Sequence, residues 1–244
     1  MRSERYRQSM TTHIVAMGGG GFSSSEDYRA TSLDRYIMSL TDATNPLVCF
    51  VPTASADDGL YVSRFINAYS SKVRTSVLTL WSGAADAIER MDEVDVFLVG
   101  GGNTLNMLAL WSAHGIGQRF RSYVADPGRD VVLAGVSAGG AVWHEGCTTD
   151  SYGRGVSPLA LGLGLVPGSF CPHYNTEAER APQFKEFIDT NQLPGGWGVD
   201  DGAAIHYVDG EVEAFISEVE GASVHSLEPT ENGVTIEKQD TRLL

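Results

Sequence analysis

The sequence lacks long apolar runs and is poor in basic residues. No stretch approaches the roughly 20 apolar residues that a membrane-crossing helix needs, so we expect a soluble protein with no membrane partner. Lys and Arg number 17 against 31 Asp and Glu, which gives a formal net charge of −14. Such a chain repels phosphate backbones, and no dense basic patch offsets the charge. We therefore expect no nucleic-acid partner.

Cysteine is also scarce. The chain has three cysteines, Cys49, Cys147 and Cys171, which lie in or beside apolar segments and lack the C-x-x-C spacing of a zinc site. An odd number of such residues is typical of reduced thiols in the core of a cytoplasmic protein, so we expect neither disulfides nor a bound metal.

The N-terminus has a basic start, "MRSERYRQSM", but no apolar segment of signal-peptide length precedes "TTH". The first core strand is predicted at "HIVAM". We expect residues 1–10 to be a disordered leader and residues 11–244 to form a single α/β domain, a size that supports a substantial core.

Short apolar, β-branched runs alternate with helical patterns along the chain, which predicts a mostly parallel central sheet with helices on both faces. The predicted strands are residues 13–17, 46–52, 75–80, 94–100 and 130–136. The predicted helices are residues 31–41, 60–70, 83–91 and 103–125, the last broken at Gly115. After residue 190, short alternating runs separated by "DG" and "EG" turns predict an antiparallel C-terminal extension.

The stretch "VVLAGVSAGGA" places Ser137 between Gly135 and Gly139, after a predicted strand and before a predicted helix. This G-x-S-x-G pattern is typical of a nucleophile elbow, where glycines allow a sharp turn that exposes the serine. A serine hydroxyl needs a base to accept its proton and a third group to orient that base. The pattern alone also fits an ordinary turn of small residues.

His173 is the best candidate for the base, because "GSFCPHYNTEAE" places it after a strand and before a predicted helix at "NTEAE". His144 is too far along the helix predicted after Ser137. Asp200 and Asp201 in "GVDDGAAI" are candidates for the third group, although "DDG" also fits a solvated turn. The sequence leaves the choice between these two carboxylates open.

An acyl-transfer site also needs backbone donors for an oxyanion. The amide of Ala138 follows the serine directly, and Gly101 lies in "VGGGNT", where glycines follow a core strand. A second glycine run, "MGGGGFS" at residues 17–23, lacks the G-K-[ST] ending of a phosphate loop, which argues against nucleotide binding.

Taken together and in this order, the segments "GGGNT", "GVSAGGA", "TTDS", "PHY" and "DDG" resemble the peptidase E family of serine peptidases, which includes aspartyl dipeptidases and, more distantly, cyanophycinases. The resemblance spans most of residues 13–205. It implies an α/β fold related to class I glutamine amidotransferases, a serine triad, and no metal or organic cofactor.

By position, the resemblance makes Ser137 the nucleophile, His173 the base and Asp201 the triad acid, where family members often have Glu. Asp150 in "CTTDSYG" is similar to an aspartate that helps to hold the free amino group of a dipeptide, a sensible pairing of opposite charges. Arg154 and Arg180 are candidates for binding an N-terminal Asp side chain, but neither lies in a recognisable motif.

The leading hypothesis is a cytoplasmic serine peptidase that acts on short peptides, including Asp-X dipeptides, with a homodimer as one expected assembly. A cyanophycinase-like isopeptidase would use the same triad with a more acidic pocket. A non-catalytic binding protein on this scaffold is a third reading. A glutamine amidotransferase is disfavoured, because Ser137 stands where that chemistry uses cysteine and Cys147 is predicted to be too far along the helix.

Overall fold

The structure is a computed structural model that describes residues 11–82, 85–126, 128–153 and 155–244. The predicted leader at residues 1–10 therefore lies outside the described residues. Among the helices of the described ranges, none combines the length and the apolar character that would let it cross a membrane.

An eight-stranded central sheet contains all five of the predicted strands. Five parallel strands lie in the order β1-β5-β4-β2-β3 and are, in chain order, Thr12–Met17 (β1), Leu47–Val51 (β2), Arg74–Val77 (β3), Val96–Val99 (β4) and Val131–Val136 (β5). Their parallel direction brings their carboxyl ends to one edge of the sheet. The predicted mostly parallel sheet is confirmed.

Helices cover both faces of this sheet, as predicted. The helices are Ser32–Met38 (α1), Gly59–Tyr69 (α2), Ala85–Glu89 (α3), Thr104–His114 (α4), Ile116–Ala125 (α5), Ala138–Ala141 (α6) and Arg180–Asp189 (α7). Buried residues of α1 and α2 pack on one face of the sheet, and those of α4 and α5 pack on the other. Gly115, with φ of 70°, breaks the predicted long helix into α4 and α5.

The C-terminal strands divide between two sheets. Ala203–Val208 (β10), Glu211–Ser217 (β11) and Arg242–Leu243 (β14) extend the central sheet beyond β1, with β10 antiparallel to β1 and to β11. A second sheet has the order β13-β12-β9-β8-β6-β7, formed by Gly146–Thr149 (β6), Ser157–Leu159 (β7), Ser169–Cys171 (β8), Gly196–Val199 (β9), Val224–Thr230 (β12) and Gly233–Lys238 (β13). The sequence pattern predicted the antiparallel pairs but not this second sheet.

The predicted helix after Ser137 is much shorter than expected. Helix α6 ends at Ala141, because the carbonyls of residues 142–144 accept hydrogen bonds from residues 163–166 and the chain then enters β6. The expectation that His144 and Cys147 lie along this helix is therefore wrong: His144 follows its end, and Cys147 lies on β6. All three cysteines are free and buried.

The predicted helix at "NTEAE" is also wrong, since α7 begins only at Arg180. The backbone amides of residues 176 and 177 both donate to the carbonyl of His173, and the tight turn that they form takes the place of the predicted first turn of the helix. Pro182 fits the observed start, because a proline is tolerated in the first turn of a helix, where its missing N–H has no partner.

Candidate active site

Ser137 lies on a sharp turn between β5 and α6, with φ of 54° and ψ of −115°. A Cβ atom on Gly135 would lie 2.1 Å from the carbonyl oxygen of Gly139, and one on Gly139 would lie 2.2 Å from that of Val99. Only glycine fits at both positions. Ser137 is not a glycine, so its positive φ carries conformational strain, and the packed surroundings hold the residue in this conformation. The turn leaves Ser137 partly exposed at the carboxyl edge of the sheet.

His173 follows β8 and also has a positive φ, 53°. Its Nε2 atom lies 2.8 Å from Ser137 Oγ, and its Nδ1 atom lies 2.6 Å from Asp201 Oδ1. These two distances are within hydrogen-bond range, so the structure brings Ser137, His173 and Asp201 together in one chain of hydrogen bonds.

Two further side chains hold Asp201. The Thr176 hydroxyl donates to Asp201 Oδ2 at 2.8 Å, and the Asp201 amide donates to Asn175 Oδ1 at 2.9 Å. The hydrogen bond from His173, assisted by that from Thr176, holds the pKa of Asp201 below its ordinary value. Sequence reasoning missed both side chains, although they directly follow the histidine motif as "YNT".

Asp200, the alternative third group, points elsewhere. Its Oδ2 atom accepts a hydrogen bond from the Ser223 amide at 2.9 Å, and its Oδ1 atom lies 3.9 Å from His225 Nε2. Burial raises the pKa of Asp200. Of the two carboxylates between which the sequence could not choose, Asp201 and not Asp200 contacts His173.

The two predicted oxyanion donors lie beside Ser137. A Cβ atom on Gly101 would lie 3.4 Å from Ser137 Cβ, so the glycine backbone passes directly against the serine. Ala138 is the first residue of α6, where an amide has no carbonyl partner within its own helix. The Gly101 amide points toward the hydroxyl of Tyr61, with a nitrogen-to-oxygen distance of 3.4 Å.

The glycine run after β1 makes room for the histidine and the carboxylate. A Cβ atom on Gly19 would lie 2.1 Å from Asp201 Oδ1 and 3.2 Å from His173 Cε1. Gly19 also pairs with Asp201 in an isolated parallel bridge. Sequence reasoning weighed this run only as a phosphate loop and missed this role. The signal that could have revealed this role was the position of the glycine run at the end of β1, which pairs with β5, the strand that precedes Ser137.

A cleft of about 550 Å³ opens at Ser137 and extends toward α2. Tyr61 and Arg64 line it from that helix. The Arg64 guanidinium stacks 4.2 Å over the ring of Tyr28 and donates to its hydroxyl at 3.0 Å. No carboxylate of the described residues pairs with Arg64, which leaves its charge available to a ligand. The sequence carried no motif that singled out these residues.

The predicted substrate-binding residues do not assemble around this cleft. Asp150 is exposed on the loop after β6, which packs on the start of α4 through a hydrogen bond from Asn103 Nδ2 to the Ser151 carbonyl, 3.2 Å. Arg154 lies outside the described residues. Arg180 is buried and internally paired, with Nε 2.7 Å from Glu177 Oε2 and Nη1 3.3 Å from the Thr148 carbonyl.

Other candidate nucleophiles and bases are sequestered. His144 is fully buried between the Gly140 carbonyl and the Tyr207 hydroxyl, and burial lowers its pKa to about 3. Burial raises the pKa of Cys147 to about 12, so this thiol stays protonated. Neither residue can replace Ser137 or His173.

The sequence is similar to those of known peptidases. The model of peptidase family S51 matches residues 14–215. YgaJ, an uncharacterized peptidase of Bacillus subtilis (strain 168), is 38% identical over 223 residues, which cover 91% of this chain and 94% of that protein. A peptidase E of Streptomyces coelicolor is 28% identical over 156 residues, which cover 60% and 62% of the two chains.

Two solved structures share the fold. A peptidase from an acI-B1 actinobacterium superposes with a TM-score of 0.66 at 14% identity, covering 96% of this chain and 95% of that one. A peptidase E protein from Listeria monocytogenes EGD-e superposes with a TM-score of 0.55 at 16% identity, covering 95% and 100%. The extent of the family match, together with the similarity to YgaJ, shows that this chain belongs to peptidase family S51 and is a serine-type peptidase.

Proposed function

We propose that this peptidase hydrolyses short peptides through an acyl-enzyme on Ser137, with His173 as the general base and Asp201 as the third member of the triad. The observation that carries the proposal is the unbroken chain of hydrogen bonds from Asp201 through His173 to Ser137, with distances of 2.6 and 2.8 Å. This chain ends at the cleft.

In the proposed mechanism, His173 Nε2 accepts the proton of Ser137 as Oγ attacks the scissile carbonyl carbon. Asp201 accepts a hydrogen bond from Nδ1, which fixes the tautomer and stabilises the imidazolium that forms. His173 then passes the proton to the leaving amine. A water molecule, activated by the same imidazole, releases the acyl group and restores the serine.

The tetrahedral intermediate carries a negative charge on the former carbonyl oxygen. The amides of Gly101 and Ala138 are proposed to donate to this oxygen, because the Gly101 backbone passes against Ser137 and Ala138 directly follows it. Fixed backbone donors of this kind stabilise the charge without reorganising during the reaction, and each is worth about 10²- to 10³-fold in kcat.

The size of the cleft supports a short substrate. Its volume of about 550 Å³ falls within the range of pockets that bind small ligands. Glycines and serines on the loops after β1, β2 and β4 form much of its wall, and Tyr61 and Arg64 of α2 line the rest.

Arg64 supports a preference for substrates with a carboxylate, and the Asp58 carboxylate that also lines the cleft accepts from the Tyr61 amide. Arg64 presents a guanidinium with no carboxylate partner among the described residues, and Arg binds carboxylates in a bidentate manner. We therefore propose Arg64, in place of Arg180, as the residue that holds the Asp side chain of an Asp-X dipeptide.

A dipeptide panel tests the proposal. Asp-Leu, Glu-Leu, Ala-Leu and β-Asp-Arg would be incubated with the wild type, Ser137→Ala and Arg64→Gln, and the released amino acids measured. We expect cleavage of Asp-Leu, complete loss in Ser137→Ala, and a selective loss of the preference over Ala-Leu in Arg64→Gln.

Each other result has a distinct meaning. Substantial turnover by Ser137→Ala would refute the acyl-enzyme on this serine. Cleavage of β-Asp-Arg alone would replace the dipeptidase by an isopeptidase with the same triad. An unchanged preference in Arg64→Gln would remove Arg64 from substrate selection while leaving the triad in place.

A further inference from the structure

The Tyr61 hydroxyl lies next to the proposed oxyanion site. The Gly101 amide hydrogen points at Tyr61 Oη over a distance of 3.4 Å, longer than a typical N–H···O bond. The same Gly101 backbone passes against Ser137, and Tyr61 and Ser137 line one cleft. A substrate oxygen that accepts from Gly101 at about 2.9 Å would therefore lie beside the phenol oxygen.

The position of Tyr61 is tightly fixed. Its amide donates to Asp58 Oδ1 at 2.7 Å, the N-cap contact that starts α2. Its ring packs against Phe50 at 4.8 Å and Phe22 at 5.7 Å between ring centres. A Cβ atom on Gly100 would lie 2.9 Å from Tyr61 Cε1, so the glycine lets this ring approach the loop. A group held in this way is preorganised to act without moving.

A second hydroxyl completes the arrangement. Ser23 Oγ lies 2.5 Å from Tyr61 Oη, and either oxygen can be the donor. When Tyr61 donates to Ser23, its oxygen can accept from the Gly101 amide, which lies 3.4 Å away. When Ser23 donates to Tyr61 instead, the phenol hydrogen is free to point into the cleft. The buried phenol keeps its proton at neutral pH, because burial raises its pKa.

We propose that Tyr61 is a catalytic residue that donates a third hydrogen bond to the oxyanion, with Ser23 as the positioning residue that supports it. As the oxyanion forms, the Gly101 amide shifts its hydrogen bond from Tyr61 to the substrate oxygen. The Ser23 hydroxyl rotates to donate to Tyr61 Oη, and the Tyr61 hydroxyl rotates to donate to the oxyanion. Only the hydroxyl hydrogens rotate, and no proton is transferred between Ser23, Tyr61 and the substrate.

This inference rests on the proposed acyl-enzyme reaction, and its test includes Ser137→Ala in the same assay. Tyr61→Phe keeps the ring and removes only the hydroxyl. We expect kcat to fall about 10²-fold, as for other single oxyanion donors, while KM stays within about twofold because the donor acts on the transition state. Tyr36→Phe is the matched control, since the Tyr36 hydroxyl bonds to His206 outside the cleft, and its kcat should stay at the wild-type level.

A double-mutant cycle that combines Ser23→Ala with Tyr61→Phe is the second test of the proposal. Ser23→Ala should lower kcat about 10-fold in the wild type and have no effect in Tyr61→Phe, because the serine acts only through the phenol. Equal effects of Ser23→Ala in both backgrounds would overturn the proposal, as would a Tyr61→Phe variant that keeps wild-type kcat or that loses activity through KM alone. If Ser137→Ala itself retained turnover, the proposed function would fail as well, and the two failures are thus distinguishable.

Discussion

Asp200 and Asp201 are neighbours in the chain, and each faces a histidine, yet their environments are opposite. Asp201 lies 2.6 Å from His173 and accepts a second hydrogen bond from Thr176, and its pKa is lowered. Asp200 lies 3.9 Å from His225, its Oδ1 atom has no hydrogen-bond partner among the described residues, and burial raises its pKa.

The difference shows that a nearby histidine does not by itself make a carboxylate functional. Adjacent residues of an extended chain point to opposite sides, so one aspartate reaches the cleft and the other reaches the loop at Ser223. Donors that contact the carboxylate favour its charged form, whereas burial without enough donors favours the neutral form. An acid that must stay ionised beside an imidazole needs the first environment.

Asp201→Asn should give the largest effect. The amide of the asparagine cannot accept the Nδ1 hydrogen with the strength of a carboxylate, and it favours the tautomer that carries the proton on Nε2. His173 then cannot accept the proton of Ser137, and kcat should fall about 10⁴-fold. Hydrolysis of the dipeptide that the wild type cleaves would be measured, and the circular dichroism spectrum would show whether the variant is folded. A folded variant with kcat within about tenfold of the wild type would exclude Asp201 from the triad.

Thr176→Val should have an intermediate effect, since it removes one exposed hydrogen bond from the carboxylate and keeps the shape of the side chain. We expect kcat/KM to fall by about threefold to tenfold. The pKa of Asp201 should rise toward its ordinary value, so activity should be lost at a higher pH than in the wild type when the assay is acidified.

The control for Thr176→Val is Thr190→Val, at the end of α7. There the hydroxyl donates to the Glu186 carbonyl and accepts from Gln192 Nε2, and neither residue lines the cleft. This variant should keep the wild-type pH profile. If both variants gave the same profile, the Thr176 hydrogen bond would have no part in keeping Asp201 ionised.

The parallel strands were predictable from sequence because strands buried on both faces consist of continuous apolar runs, as in β2 and β5. The second sheet was not, because four of its six strands have only three or four residues and its neighbours β8 and β9 are separated in the chain by α7. Pairing over such distances depends on tertiary packing and leaves no local pattern. The length of helix α6 was overestimated for a similar reason, since the amides of residues 163–166 that donate to the carbonyls of residues 142–144 come close only in the folded chain.

The positions of Ser137 and His173 beside strand ends were predictable because a sharp turn imposes glycines and a proline restrains its loop. The α2 wall of the cleft was not predictable. Tyr61 and Arg64 follow an ordinary amphipathic helix pattern, and only the packing of α2 against the sheet brings their polar ends to the serine. The role of Gly19 in making room for Asp201 could not be predicted, because these two residues meet in space but are 182 positions apart in the chain.

Asp200→Asn should have the smallest effect on catalysis and an informative effect on stability. Its carboxylate does not contact His173, so kcat should stay within about threefold of the wild type. A folded-state pKa above the unfolded value means that the carboxyl favours folding at low pH, and this contribution is lost as the pH rises through the folded-state pKa. The neutral asparagine can still accept from the Ser223 amide, so the variant should be more stable than the wild type at neutral pH.

Asp201→Asn should change stability in the opposite direction. The folded-state pKa of Asp201 is lowered, so its carboxylate stabilises the fold above the unfolded value, and this contribution is lost as the pH falls through the folded-state pKa. Thermal unfolding of both variants and the wild type at neutral and acidic pH measures the contrast. We expect a higher Tm for Asp200→Asn and a lower Tm for Asp201→Asn at neutral pH, with both differences shrinking in acid. Shifts of the same sign would mean that donors and burial do not separate these two carboxylates.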